Sequence, residues 1–176
     1  MRPIEVALVL LLVHAALGAF DTFYNHEWKE QLPHRPEAHT ELALHSARSW
    51  FFAATFLGLA WLEWRGAWAW AALALIGGEY LITIADSVVE DRTRRLSAIE
   101  RTNHMLLALN TGLYGAFVAW QTVLWSALPT ALVPVRYPVL SELLSACAIA
   151  VIVWAVRDAR ASHREAREAA RLAIAR

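Results

Sequence analysis

The stretch IADSVVEDRTRRLSAIERTNH, residues 84–104, decides how the chain is read, because its polar residues recur in an earlier copy. Asp86 is followed at the fifth position by Asp91, and Glu100 stands four residues before His104. Upstream, Asp21 is followed at the fifth position by His26, and Glu41 stands four residues before His45. Seven residues before each Asp is a further candidate ligand, His14 in the first copy and Glu79 in the second. The chain therefore writes the same order of acids and imidazoles twice, each time on two otherwise apolar segments. The repetition predicts an internal duplication in which helices 1–2 correspond to helices 3–4.

The segments that carry the pattern are set by composition. Of 176 residues, 58% are hydrophobic, 18% are charged and nine are Trp. The mean hydropathy is +0.38. A soluble domain of this length carries more charge. The apolar residues fall into runs near the roughly 20 residues that span hydrocarbon as a helix, so the expected fold is an all-α integral membrane bundle of five transmembrane helices. These are read over 4–25, 42–62, 67–90, 103–126 and 138–157. Residues 1–128 would form a four-helix bundle, and 129–176 the fifth helix with a basic tail. The first segment lacks a small-x-small cleavage site and ends in Asp21 and His26, so it reads as a mature helix. Thr40 reads as the N-cap of helix 2, Glu63–Gly66 as a tight turn and Pro138 as the first turn of helix 5. The single Cys147 reads as a packing residue.

Arg and Lys placement orients the bundle. The amino terminus, Arg65 and Arg136 supply one basic residue each to one side. Lys29, Arg35, Arg92, Arg94, Arg95, Arg101 and six arginines after position 156 lie on the other. By the positive-inside rule the amino terminus faces out of the plasma membrane, and the carboxyl terminus and both motif loops face the cytoplasm. Trp61, Trp64, Trp68, Trp70, Trp120 and Trp125 read as an interfacial belt on the outer side. The arginine stripe of the tail reads as a headgroup-attracting or solvated helix face. Zero formal net charge and the lack of a basic-aromatic footprint speak against nucleic acid.

Helical spacing then aligns His14 with Asp21, Glu79 with Asp86 and Glu90, Glu41 with His45, and Glu100 with His104. In a four-helix bundle, Asp21, Glu41, His45, Asp86, Glu100 and His104 would meet at one depth. Charged groups in hydrocarbon must be paired, hydrated or bound to cations. Two divalent ions in a carboxylate–imidazole site suited to iron, manganese or zinc would satisfy them. His26, Glu27, Glu90 and Asp91 would complete or surround the coordination. His14 and Glu79, about 10 Å deeper, would line an access route or relay protons. Arg48, one turn past His45, could instead neutralise a carboxylate within a salt-bridge network. Haem held between His45 and His104 ranks lower, since it needs no flanking acids.

The site pattern resembles the ferritin-like di-iron carboxylate bundles, including membrane-associated quinol oxidases and hydroxylases. It differs in using Glu-x3-His rather than Glu-x2-His, and Asp21 and Asp86 where that class has Glu. The resemblance implies a metal-dependent membrane oxidoreductase acting on a lipid-soluble substrate or quinone, and a homo-oligomer is compatible with it. A two-zinc hydrolase would use the same ligands. A metal or proton transporter would need a polar path, for which helices 2 and 4 offer little beyond Thr55, Asn110 and Thr111. A structural membrane subunit is the remaining class.

Overall fold

A computed structural model of the chain describes residues 1–174. Helix α1 (Pro3–Phe20) continues without a break into a π-helical segment, Asp21–Lys29. Two short 3-10 turns, Leu32–His34 and Pro36–Ala38, lead to α2 (His39–Trp61). Strand β1 (Leu62–Arg65), α3 (Trp68–Thr93), α4 (Ala98–Ser126), β2 (Ala131–Pro134) and α5 (Leu140–Ile174) follow. Short connections aside, the described residues are helical apart from one two-stranded antiparallel sheet, in which Leu62 faces Pro134 and Arg65 faces Ala131.

Three stretches are long and apolar enough to cross a membrane, Pro3–His34, Trp68–Thr93 and Leu140–Ile174. The sequence reading expects five. Helices α2 and α4 have the length, but polar residues dilute them: Glu41, His45, Arg48 and Thr55 on α2, and Asn103, Asn110, Thr111 and Gln121 on α4. All of these but Arg48 are buried, and several bond across the bundle. Asn110 Nδ2 donates to the Leu10 carbonyl at 2.9 Å, and the Ile4 N–H donates to Gln121 Oε1 at 3.2 Å.

Several local expectations change. The tight turn at Glu63–Gly66 is strand β1 followed by Gly66 at φ +60. Helix α2 begins at His39, whose ring nitrogen lies 2.8 Å from the Pro36 carbonyl, so Thr40 is inside the helix rather than its cap. Helix α5 starts at Leu140, two residues past Pro138, and runs unbroken through the basic tail. Trp125, expected in an interfacial belt, is buried in the core, whereas Trp68, Trp70 and Trp120 are exposed.

Helix α1 packs on α4, α4 on α3, and α3 on α2, while α5 lies along α2 and touches α1. The core between them is built from Leu8, Leu11, Phe56, Leu59, Ile76, Tyr114, Val118 and Leu144. The α2–α5 seam is the closest, and small residues spaced by heptads explain it. Position 46 is Ser and positions 53 and 60 are Ala on α2, and Ser141, Ala148, Ala155 and Ser162 repeat on α5. Ser162 Oγ donates to the His39 carbonyl (2.6 Å), Ser46 Oγ to Ala155 (2.8 Å) and Ser141 Oγ to Ala60 (2.6 Å). Small side chains let the backbones approach and hydroxyls tie them, the pattern that joins helices where water is scarce.

Candidate metal centre

The repeated acids and imidazoles gather at the end of the bundle where α1 leaves, α2 enters, α3 leaves and α4 enters. Asp21, Glu41, His45, Asp86 and Glu100 are all buried, and His104 is half-buried. Two residues placed by the sequence reading in the surroundings, His26 and Glu90, lie inside the cluster. Two groups of candidate ligand atoms lie within 4.8 Å of one another: His26, Glu90, Glu100 and His104 in one, His26, Glu41, His45 and Glu90 in the other. The groups share His26 and Glu90. The His26 and His45 rings stack with centroids 4.6 Å apart.

His26 arrives there because of the π-helix. In an α-helix His26 would turn about 140° away from Asp21, at 3.6 residues per turn. The i→i+5 geometry of a π-helix brings residues five apart onto one face, and such segments concentrate at functional sites. The Glu30 N–H accordingly donates to the Asn25 carbonyl at 2.8 Å. Asp21, Asn25 and His26 are all buried as a result.

Asp21 and Asp86, read from sequence as ligands, sit against imidazoles. His104 Nε2 lies 3.1 Å and His26 Nε2 3.4 Å from Asp21 Oδ2, and Asn25 Nδ2 donates to Asp21 Oδ1 at 2.7 Å. His45 Nε2 lies 3.0 Å from Asp86 Oδ2, which also accepts from Arg48 Nη1 at 3.1 Å. His104 presents its other nitrogen, Nδ1, to Glu90 Oε2 at 3.5 Å. A carboxylate paired with an imidazole nitrogen fixes the ring's orientation and raises its basicity.

Arg94, which the sequence reading counts only among the basic residues that orient the bundle, enters the cluster. Its Nη2 lies 2.7 Å from Glu100 Oε1, 2.8 Å from Glu41 Oε1 and 3.3 Å from Glu90 Oε1. Burial disfavours the charged guanidinium, but hydrogen bonds to Glu100 and Glu41 outweigh it and hold Arg94 charged above the usual arginine range. The signal available in the sequence is its place four residues after Glu90, one helical turn away.

The donor set suits a divalent cation. Five carboxylates, Asp21, Glu41, Asp86, Glu90 and Glu100, face only two guanidinium groups, Arg48 and Arg94. Asp86 Oδ1 and Glu100 Oε2 are buried without a hydrogen-bond partner among the described residues, while His26 Nε2, His45 Nε2 and Glu100 Oε1 are held only by their ion-pair contacts with Asp21, Asp86 and Arg94. Buried polar atoms left so are costly, and these are carboxylate and imidazole atoms, the ligands of iron, manganese and zinc.

The other candidates are placed elsewhere. Glu27 pairs with Arg157 of α5, and Asp91 is exposed. Glu79 accepts from Tyr114 Oη at 3.1 Å and Thr83 Oγ1 at 2.8 Å, deeper in the bundle. His14 packs 4.8 Å from the Phe52 ring with Nδ1 unpartnered among the described residues. Both line a cavity of about 470 Å3 that also reaches His45, Arg48, Asp86 and His104. No family model matches the chain, and no curated protein or solved structure is similar enough to match it.

Proposed function

We propose that the chain is an integral membrane protein that holds two divalent metal ions at the inner ends of its first four helices, and that it is a di-iron oxidoreductase acting on a lipid-soluble substrate. The observation that carries this reading is the pair of four-residue ligand groups sharing Glu90 and His26. A shared carboxylate is what two neighbouring cations would use in common, and one His from each Glu-x3-His unit falls in each group. Asp21 and Asp86 then orient imidazoles rather than bind metal directly. The mostly apolar cavity beside the cluster supplies room for a substrate drawn from the bilayer. All five helices would span the plasma membrane, with the cluster on the cytoplasmic side by the arginine count.

Elemental analysis of detergent-purified protein beside the His45→Ala/His104→Ala variant tests this. About two equivalents of one metal, lost in the variant, support it, and iron rather than zinc separates the oxidoreductase from the hydrolase. Metal-free native protein overturns it. One observation favours a second reading, a structural ion-pair network: Arg94 already lies between Glu41, Glu90 and Glu100. That reading requires no metal and tolerates His45→Gln.

A further inference from the structure

A second polar feature lies away from the acid and imidazole cluster. Between α5 and the segment joining α1 to α2 runs a groove of about 660 Å3. Its α5 wall is apolar at Val153 and Val156 and becomes basic at once, through Arg157, Arg160 and Arg164. Glu27 is the only acid among its lining residues.

The three arginines are not equivalent. Arg157 pairs with Glu27 and with Asp158, and its guanidinium lies 5.4 Å over the Trp154 ring. Arg164 pairs with Glu165 at 2.7 Å and donates to the Pro33 carbonyl. These two fasten α5 to the opposite wall and shape the groove. Arg160 stands between them, exposed and without an acidic partner among the described residues. An unpaired guanidinium thus projects about one turn beyond the point where an apolar helix face ends.

We propose that this groove binds an anionic phospholipid, its phosphate on Arg160 between the two anchored arginines and an acyl chain along Val153 and Val156. The order of chemistry along the wall, apolar then basic over about 10 Å at 1.5 Å per residue, is that of a lipid crossing from chain to headgroup. The assignment rests on the reading that α5 spans the bilayer, and is independent of any metal. Juxtamembrane arginines gain about fivefold in affinity each for an anionic surface, and a guanidinium meets a phosphate with paired donors.

Full-length protein in detergent, given equal amounts of phosphatidylglycerol and phosphatidylcholine with matched chains, is read by native mass spectrometry. The expected result is retention of phosphatidylglycerol over phosphatidylcholine, reduced about fivefold by Arg160→Gln and kept by Arg160→Lys. Arg160 is exposed and makes no hydrogen bond or ion pair among the described residues, so the variant reports on binding. Equal retention of the two lipids, or an undiminished preference in R160Q, overturns the assignment. So does displacement by an equal concentration of inorganic phosphate, which would mark a site for the anion alone. Resistance of native protein and R160Q to alkaline carbonate extraction separates failure of this site from failure of the membrane reading, in which both would be released.

Discussion

Replacing Arg94 by Gln separates the two readings of the cluster. The guanidinium lies within 3.3 Å of carboxylate oxygens from Glu41, Glu90 and Glu100, and its side chain is 8% exposed. Removing one partner of a buried ionic group leaves uncompensated charge and costs about 3–5 kcal/mol. At about 2–4 °C per kcal/mol for a chain of this size, Tm should fall by about 6–20 °C in chelator-treated protein. A divalent ion supplies the missing positive charge to the same carboxylates. Adding manganese or iron should therefore raise Tm more in R94Q than in native protein, closing part of the gap. The assay is thermal unfolding in detergent, with and without chelator, across a metal titration. A chelator-treated R94Q that loses less than about 1 kcal/mol would refute the neutralising role of Arg94, because only exposed ion pairs are so weak. A large loss that no divalent ion repairs would refute the cation site and leave the ion-pair network.

Three further outcomes follow from the geometry. Glu90→Gln should lower the content of both metal equivalents together, since both ligand groups include Glu90; elemental analysis showing one full equivalent retained would contradict the sharing. Asp21→Asn should weaken metal affinity about 10–100-fold rather than abolish it, because Asp21 stands outside both ligand groups and pairs with the imidazoles of His104 and His26; competition with a chromogenic chelator measures this. Gly66→Ala should cost about 1–2 kcal/mol or more, as φ is +60 and a Cβ there would fall 2.5 Å from Thr130 Cα; an unchanged Tm would show that the turn relaxes freely.

What the sequence discloses and what it conceals have physical causes. Long apolar runs announce helices at the right places, and the duplicated polar order announces which ends converge. The cluster gathers Asp21, Glu41, His45, Asp86, Glu100 and His104 because each lies at the boundary of such a run. α-Helical spacing puts His26 at the periphery, and nothing in DTFYNHEWK signals i→i+5 bonding. A charge run in a loop is usually solvated, whereas here α3 stops at Thr93 and the next residue, Arg94, lies against three glutamates. Strands of four residues, Leu62–Arg65 and Ala131–Pro134, pair across almost seventy positions and leave no periodic trace. The heptads of small residues on α2 and α5 are masked in the sequence by the larger apolar residues around them.

The little sheet gives the molecule a clasped end and a loose end. It laces the α2–α3 connection to the α4–α5 connection, and two more main-chain bonds reinforce it, from the Gly66 N–H to the Trp125 carbonyl at 2.8 Å and from the Val135 N–H to the Trp61 carbonyl at 2.9 Å. Parting the helices there means breaking a ladder, while parting them at the far tips, around Asp21 and Arg94, breaks side-chain contacts alone. The bundle should therefore breathe like a peg hinged at one side, with amide exchange slow over 61–66 and 131–135 and faster over 90–100. Traffic to the acid and imidazole cluster would then use the end left free to gape.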